Sequence, residues 1–230
     1  MNQLTRNEKR LWAGSVLLTV LSFGIFDREN WLTLAASLIG VTSLIFNAKG
    51  NPFGQLLMVL FSVLYGIISY SFRYYGEMLT YLGMTGPMAL FSLIAWLRHP
   101  FKGQRSEVAV NTLTRTEALL SVLLTGAVTY VFFFILRAFG TQNLALSTLS
   151  VATSFLAVYL TFRRSAQYAL AYAANDVVLI ALWVIAARTD ASYISVAVCF
   201  VMFLVNDLYG YVSWQRMRRR QAASSGSCAQ

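Results

Sequence analysis

Residues 168–187 read Tyr-Ala-Leu-Ala-Tyr-Ala-Ala-Asn-Asp-Val-Val-Leu-Ile-Ala-Leu-Trp-Val-Ile-Ala-Ala, a run in which Asp176 is the one charged side chain. A helix of about 20 apolar residues crosses a hydrocarbon core about 30 Å thick and satisfies its own backbone on the way. Working outward, comparable runs lie at 11–26, 31–46, 53–72, 79–97, 118–136, 144–162 and 192–213. With 57% hydrophobic and 12% charged residues, the chain has too little polar surface to cover a water-soluble globule. The expected class is an all-α integral membrane protein of eight spans.

The first two runs are short, and Asp27, Arg28 and Glu29 separate them sharply. They read as two tilted spans or as one re-entrant hairpin, and two spans is the reading adopted. Arg6, Lys9 and Arg10 before the first run resemble the basic start of a signal peptide, but no small-residue cleavage site follows Phe26 and seven further spans do. The run is therefore kept as a helix.

Lys and Arg test this count, because cytoplasmic loops hold an excess of them. With eight spans and an internal N-terminus, 14 fall inside and four outside: Arg28, Arg73, Arg137 and Arg188. The expectation is a multi-pass membrane protein with both termini cytoplasmic. The net charge of +9 follows from that asymmetry and from attraction to anionic membrane lipid, so nucleic acid is not an expected partner. Cys199 lies in a span and Cys228 in a polar tail, which suggests neither a disulfide framework nor a metal site.

The polar stretch 98–117 divides the chain, ending in the helix-start signal Thr114-Arg115-Thr116-Glu117. On either side, 31–97 and 144–214 resemble each other as three-span units, each finishing on a Trp (Trp96, Trp214) followed by basic residues. Two odd-numbered units joined directly would be inverted; the extra span 118–136 makes them parallel, a 3+1+3 arrangement around an axis along the membrane normal. The expected domains are 1–29, a tail and extra transmembrane helix; 30–100, the first three-helix bundle; 101–140, a cytoplasmic loop and linker helix; 141–214, the second bundle; and 215–230, a basic, disordered tail.

Polar groups inside spans cost a few kcal/mol on insertion scales and need a reason. Asn175-Asp176 lies near the middle of span seven, with Trp183 on the same helical face two turns on. On span eight Asn206, Gly210 and Trp214 share a face, with Asp207 and Tyr211 adjacent. Amide, carboxylate and aromatic groups together suit a flat ring attached to a sugar. The structural alternative is interhelical glue for Asn and Asp and an interfacial aromatic belt for the Trp residues; belt is the preferred reading for Trp96 and Trp214. Arg73-Tyr74-Tyr75-Gly76-Glu77 at the outer end of span three reads as a gate, or as a belt with a helix-start Glu. Gln55 is a further pocket or gate candidate. Gly83, Gly86 and Pro87 mark a kink in span four that doubles as a hinge candidate, and the Ser/Thr face of 147–154 reads as close packing. Without a Walker-type phosphate loop or His-Glu zinc motif, and with His99 as the one histidine, no catalytic residue, cofactor or metal is expected.

Gly50 through Gln55, Tyr74-Tyr75-Gly76-Glu77-Met78-Leu79-Thr80-Tyr81, Pro87-Met88-Ala89, Ala171-Tyr172-Ala173-Ala174-Asn175-Asp176, Trp183, and Asn206-Asp207-Leu208-Tyr209-Gly210-Tyr211 with Trp214 resemble, in that order, the bacterial PnuC vitamin transporters. The resemblance covers about residues 30–217. It implies a SWEET-like fold with the site between two bundles and import of nicotinamide riboside by facilitated diffusion. It further implies trapping of the product by a cytosolic riboside kinase, and a homotrimer. Relatives carry thiamine or riboflavin, so fold alone does not name the vitamin. Proton coupling is an alternative mode, and a membrane enzyme acting on lipid headgroups is the rival class. Pro52, Pro87 and Pro100 leave the second bundle without proline, unlike the sugar carriers, which argues against a plain sugar. The pyridinium of nicotinamide riboside would gain about 0.5–2 kcal/mol from cation–π contact with Trp183 or a nearby Tyr, with Asp176 or Asp207 as counter-charge. The substrate-contact candidates are thus Asn175, Asp176, Trp183, Asn206, Asp207, Tyr211 and Gln55, and the gate candidates Tyr74, Tyr75 and Glu77.

Overall fold

The computed structural model describes residues 4–71, 74–141 and 143–226, with side chains placed up to residue 224. Arg73 and Cys228 lie outside the described residues. Thr5 and Thr114 each open a helix with a capping box, the hydroxyl accepting from the Glu8 or Glu117 amide while that glutamate accepts from the cap amide. The first opens α1 (Arg6–Phe26) and the second α6 (Arg115–Ala138). Asp27 ends α1, and α2 (Trp31–Ala48) begins four residues on, so the charged interruption separates two helices.

After α3 (Pro52–Ser71), the fourth span is α4 (Tyr75–Thr80), a π-helical turn (Tyr81–Thr85) and α5 (Gly86–Arg98). Pro87 in the first turn of α5 has no N–H to give to the preceding turn. The backbone widens there: the Gly86 N–H reaches the Tyr81 carbonyl, five residues back. The expected interruption is thus a wide turn, and it carries Tyr81 and Thr85 on its inner side.

The polar stretch between the halves contains a short hairpin, β1 (Pro100–Phe101) and β2 (Gln104–Val108). Lys102 and Gly103, with φ of 48° and 76°, form its two-residue turn. The second half is α7 (Leu144–Phe162), α8 (Tyr168–Ala186) and α9 (Tyr193–Gly226). The tail expected to be disordered over 215–230 continues α9 to Gly226. Its partners are on the hairpin: Arg220 pairs with Glu107 at 2.6 Å, and Gln221 donates to Glu107 at 2.8 Å and accepts from the Val110 amide at 2.8 Å.

Eight helical segments among the described residues are long and apolar enough to cross a membrane, taking 75–98 as one. Their outer surfaces carry Leu17, Leu21 and Ile25 on α1, Leu56, Leu60 and Ile67 on α3, and Leu119, Val122 and Leu123 on α6. So continuous an apolar exterior belongs in lipid. Within the first half α2 packs on α3 and α3 on α5; within the second α7 packs on α8 and α8 on α9. The halves meet where α2 touches α9 and α5 touches α7. Exchanging α2 with α7, α3 with α8 and the fourth span with α9 maps these contacts onto one another. Helix α6 lies on α7, and α1 lies against α2 and α9. The start of α1 is fixed by Glu8, which pairs with Lys49 at 3.2 Å and accepts from the Tyr209 hydroxyl at 2.8 Å.

Candidate functional site

A closed cavity of about 20 Å³ lies between the halves. Its polar wall is Ser154, Asn175, Asp176 and Asp207 with Thr85, Tyr81 and Tyr172; Leu44, Met58, Phe61 and Phe203 complete it. The intramembrane Asn-Asp pair of span seven therefore reaches the interior intact. Asn175 Oδ1 accepts from Thr153 at 2.8 Å and Ser154 at 2.9 Å, which fixes the amide plane. Two hydroxyls of the Ser/Thr face on α7 thus serve an amide on the next helix, beyond the packing role expected for that face.

Asp176 on α8 and Asp207 on α9 line the same cavity. Both are buried, 2% and 3% exposed. Aromatic rings crowd the same space: Phe61 contacts Tyr81 at 5.8 Å and Phe203 at 5.4 Å between centroids. Gly40 of α2 lets the Phe203 ring lie against its backbone, where any Cβ would collide with the ring.

Several expected contact residues lie elsewhere. Asn206 turns to α1, donating to Ser15 Oγ at 2.9 Å and to the Met202 carbonyl at 2.7 Å. Neighbours on a helix point about 100° apart, and Asp207, not Asn206, faces the cavity. Tyr211 is half-buried against the cluster around Trp96 and Trp214. Gln55 donates to Asn47 Oδ1 at 2.9 Å, joining the ends of α2 and α3 below the cavity. Trp183 shares the face of Asp176 but lies about 10 Å further along the axis, in a separate aromatic layer.

That layer closes the end opposite the basic loops. The Trp183 indole donates to the Tyr65 hydroxyl at 2.8 Å. Tyr74 and Tyr193 pack on the same indole, at 4.9 and 5.5 Å between centroids. Of the gate candidates, Tyr74 is in this layer. Tyr75 is peripheral, against Tyr70 and Phe139. Glu77 is buried facing Ser150 of α7, and neither carboxylate oxygen has a hydrogen-bond partner among the described residues. A second chamber of about 10 Å³, lined by Tyr65, Phe200 and Cys199 among others, separates this layer from the main cavity. At the rim, Asp27 accepts from the Asn30 side chain and from Ser195 Oγ at 3.4 Å, and burial pushes its carboxyl pKa up.

Trp96, Trp214 and Tyr168 close the basic end. Trp96 and Trp214 are 0% exposed, so they are interior residues and not an interfacial belt. Tyr168 lies against Trp214 at 4.9 Å. A groove of about 300 Å³ beside Lys49, Arg216 and Arg220 opens to solvent at the end of the α2–α9 contact, and its Lys49 and Arg220 are already ion-paired. It is not the interior site. Tyr172, Tyr81 and Phe203 escaped the sequence reading as site residues. Tyr172 was accessible in principle, since it sits one turn before Asp176 on the same face.

Eight spans around a polar cavity, shut at both ends by aromatic layers, define a multi-pass membrane protein of the transporter class. The nicotinamide mononucleotide transporter family matches residues 30–216, and the chain belongs to that family. It is 28% identical over 203 residues to the nicotinamide riboside transporter PnuC of Neisseria mucosa, covering 86% of this chain and 77% of the relative. It is 22% identical over 211 residues to the protein of the same description from Haemophilus influenzae, covering 91% and 90%. The crystal structure of the vitamin B3 transporter PnuC superposes with a TM-score of 0.83 at 25% identity, covering 95% of this chain and 94% of that one.

Proposed function

We propose that this protein imports nicotinamide riboside across the bacterial inner membrane by facilitated diffusion, with both termini in the cytoplasm. The carrying observation is the chemistry of the closed cavity, where one oriented amide, two acids and several aromatic faces meet midway between two aromatic layers. Asn175, its Oδ1 occupied by two hydroxyls, keeps its Nδ2 donors for a ribose or carboxamide oxygen. Tyr172, Tyr81 and Phe61 offer faces for the pyridinium ring, and the acids offer the counter-charge.

A cavity of about 20 Å³ admits roughly one water, whereas ligand sites enclose roughly 300–1,000 Å³. Loading therefore requires the halves to move apart. Alternating access follows if the α2–α9 and α5–α7 contacts act as the rocking surface, opening the Trp183 layer or the Trp96–Trp214 layer in turn. A cytosolic riboside kinase would trap the product, and the family resemblance supports a homotrimer in contact with membrane lipid.

Thiamine is also cationic and aromatic and is the second reading. Calorimetry of nicotinamide riboside, thiamine and riboflavin on the purified protein decides between them. Riboside binding that Asn175→Ala weakens while the protein remains folded supports the proposal; thiamine binding in its place, or silence toward all three, removes it.

A further inference from the structure

The hairpin β1–β2 follows directly on α5, so by chain connection it belongs to the first half. Its base is closed there: the Ala109 N–H bonds the His99 carbonyl and the Val108 N–H the Gly50 carbonyl, each at 2.9 Å. The outgoing arm then crosses to the second half. The Asn111 N–H bonds the Arg164 carbonyl at 3.0 Å, and Asn111 forms a parallel backbone bridge with Ser165 in the turn between α7 and α8.

Gln221 of α9 fastens the same arm. Its side-chain carbonyl accepts from the Val110 amide at 2.8 Å while its NH2 donates to the Val108 carbonyl at 3.0 Å, so one amide pairs with the backbone as a neighbouring strand would. Gln221 is 6% exposed, where an unmade hydrogen bond is penalised. The adjacent Arg220–Glu107 pair is open to solvent on the arginine side and contributes less. Between these fastenings Val108, 0% exposed, packs into the cluster of Trp96, Tyr168 and Trp214. The hairpin therefore covers, from outside, the layer that shuts the basic end. Separating Trp96 from Trp214 moves the halves apart, and hydrogen bonds of about 3 Å do not stretch to follow.

We propose that residues 99–111 form a latch on the cytoplasmic gate, and that the arm must release Arg164, Ser165 and Gln221 before the cavity opens to the basic side. This rests on the reading that the halves rock to give alternating access, and it is independent of which vitamin is carried. Once released, the hairpin stays with the first half through His99 and Gly50. While fastened, it biases the empty protein toward the state shut at this end. The fastening uses no ion and no energy source, so the latch sets populations and rates while leaving transport as facilitated diffusion.

Bridge partners on neighbouring strands lie close enough for a disulfide, so Asn111→Cys with Ser165→Cys locks the arm on oxidation. In a full-length background carrying Cys199→Ser and Cys228→Ser, Ser154→Cys in the cavity wall reports opening. Inside-out vesicles are treated, without substrate, with a small membrane-impermeant thiol reagent, and modification is read on the peptide that carries residue 154. Oxidation is expected to slow labelling about tenfold or more, and reduction to restore it. Gln221→Ala, without the cysteine pair, is expected to speed labelling several-fold. Equal labelling of the oxidised and reduced protein overturns the latch and leaves alternating access standing. Absence of labelling in the reduced protein overturns both. Should the disulfide not form, the Gln221→Ala rate decides alone, and an unchanged rate overturns the latch.

Discussion

Trp96 and Trp214 meet at 5.4 Å between ring centroids, and each indole donates into the opposite half of the molecule. Trp96 bonds the Thr161 carbonyl at 3.0 Å and Trp214 the Asn47 carbonyl at 2.8 Å. The acceptors occupy equivalent positions, each two residues before the C-cap of α7 or α2. The repeat that sequence suggests through two terminal Trp residues thus has a physical consequence, a reciprocal lock across the interface.

Replacing either Trp by Phe removes a buried donor from a carbonyl that keeps a backbone partner, the Arg164 N–H on Thr161 or the Gly50 N–H on Asn47, a loss of about 0.5–1.5 kcal/mol. Because the rings touch, the double variant is expected to be non-additive by about 0.5–3 kcal/mol. Unfolding in detergent, measured as a double-mutant cycle, checks this; additive losses would refute the lock.

At the opposite end, Tyr65→Phe removes the acceptor of the Trp183 indole, and a loosened aromatic layer is the expected result. Cys199 lies buried in the chamber beneath that layer. With Cys228 replaced by Ser, a thiol reagent is expected to label Cys199 several-fold faster in the Phe variant. Equal labelling rates would mean that other contacts hold this end shut.

The two intramembrane asparagines are expected to separate binding from stability. Asn175→Ala should weaken nicotinamide riboside about tenfold or more, the equivalent of about 1.4 kcal/mol. Asn206→Ala should leave affinity nearly unchanged and lower unfolding stability by about 1–3 kcal/mol through loss of its bond to Ser15. Calorimetry and thermal unfolding on both variants read the two effects apart, and a large affinity loss in the Asn206 variant would return that residue to the site.

Asp27 supplies a pH dependence of known sign. Burial raises its carboxyl pKa in the folded protein, so its relative stabilisation is full below the unfolded pKa and is lost as pH rises through the folded one. Asp27→Asn keeps one acceptor for Asn30, turns an NH2 donor toward Ser195 Oγ and removes the charge. Thermal unfolding is expected to favour the Asn variant increasingly from acid to neutral pH, with the advantage vanishing in acid. A pH-independent difference would contradict this account.

What the sequence determined was set by composition and by local periodicity. Eight apolar runs fix eight spans because backbone in lipid must pair with itself, Thr114 and Glu117 fix a helix start, and Pro87 fixes an interruption. Asn175-Asp176 stood out as a site candidate because charge and amide inside a span demand partners. Only the tertiary structure decided which partners. Asn206 and Asp207 are neighbours in sequence, yet helix rotation sends one to Ser15 and the other into the cavity that Asp176 also lines. Trp183 and Asp176 share a face but occupy different levels, which periodicity alone does not separate. Trp96 and Trp214 look like membrane-surface residues at the ends of apolar runs, and become interior because two halves close over them. Rotation, depth and the approach of segments distant in sequence are properties of packing, so the acid pair and both aromatic layers exist only once the helices have assembled.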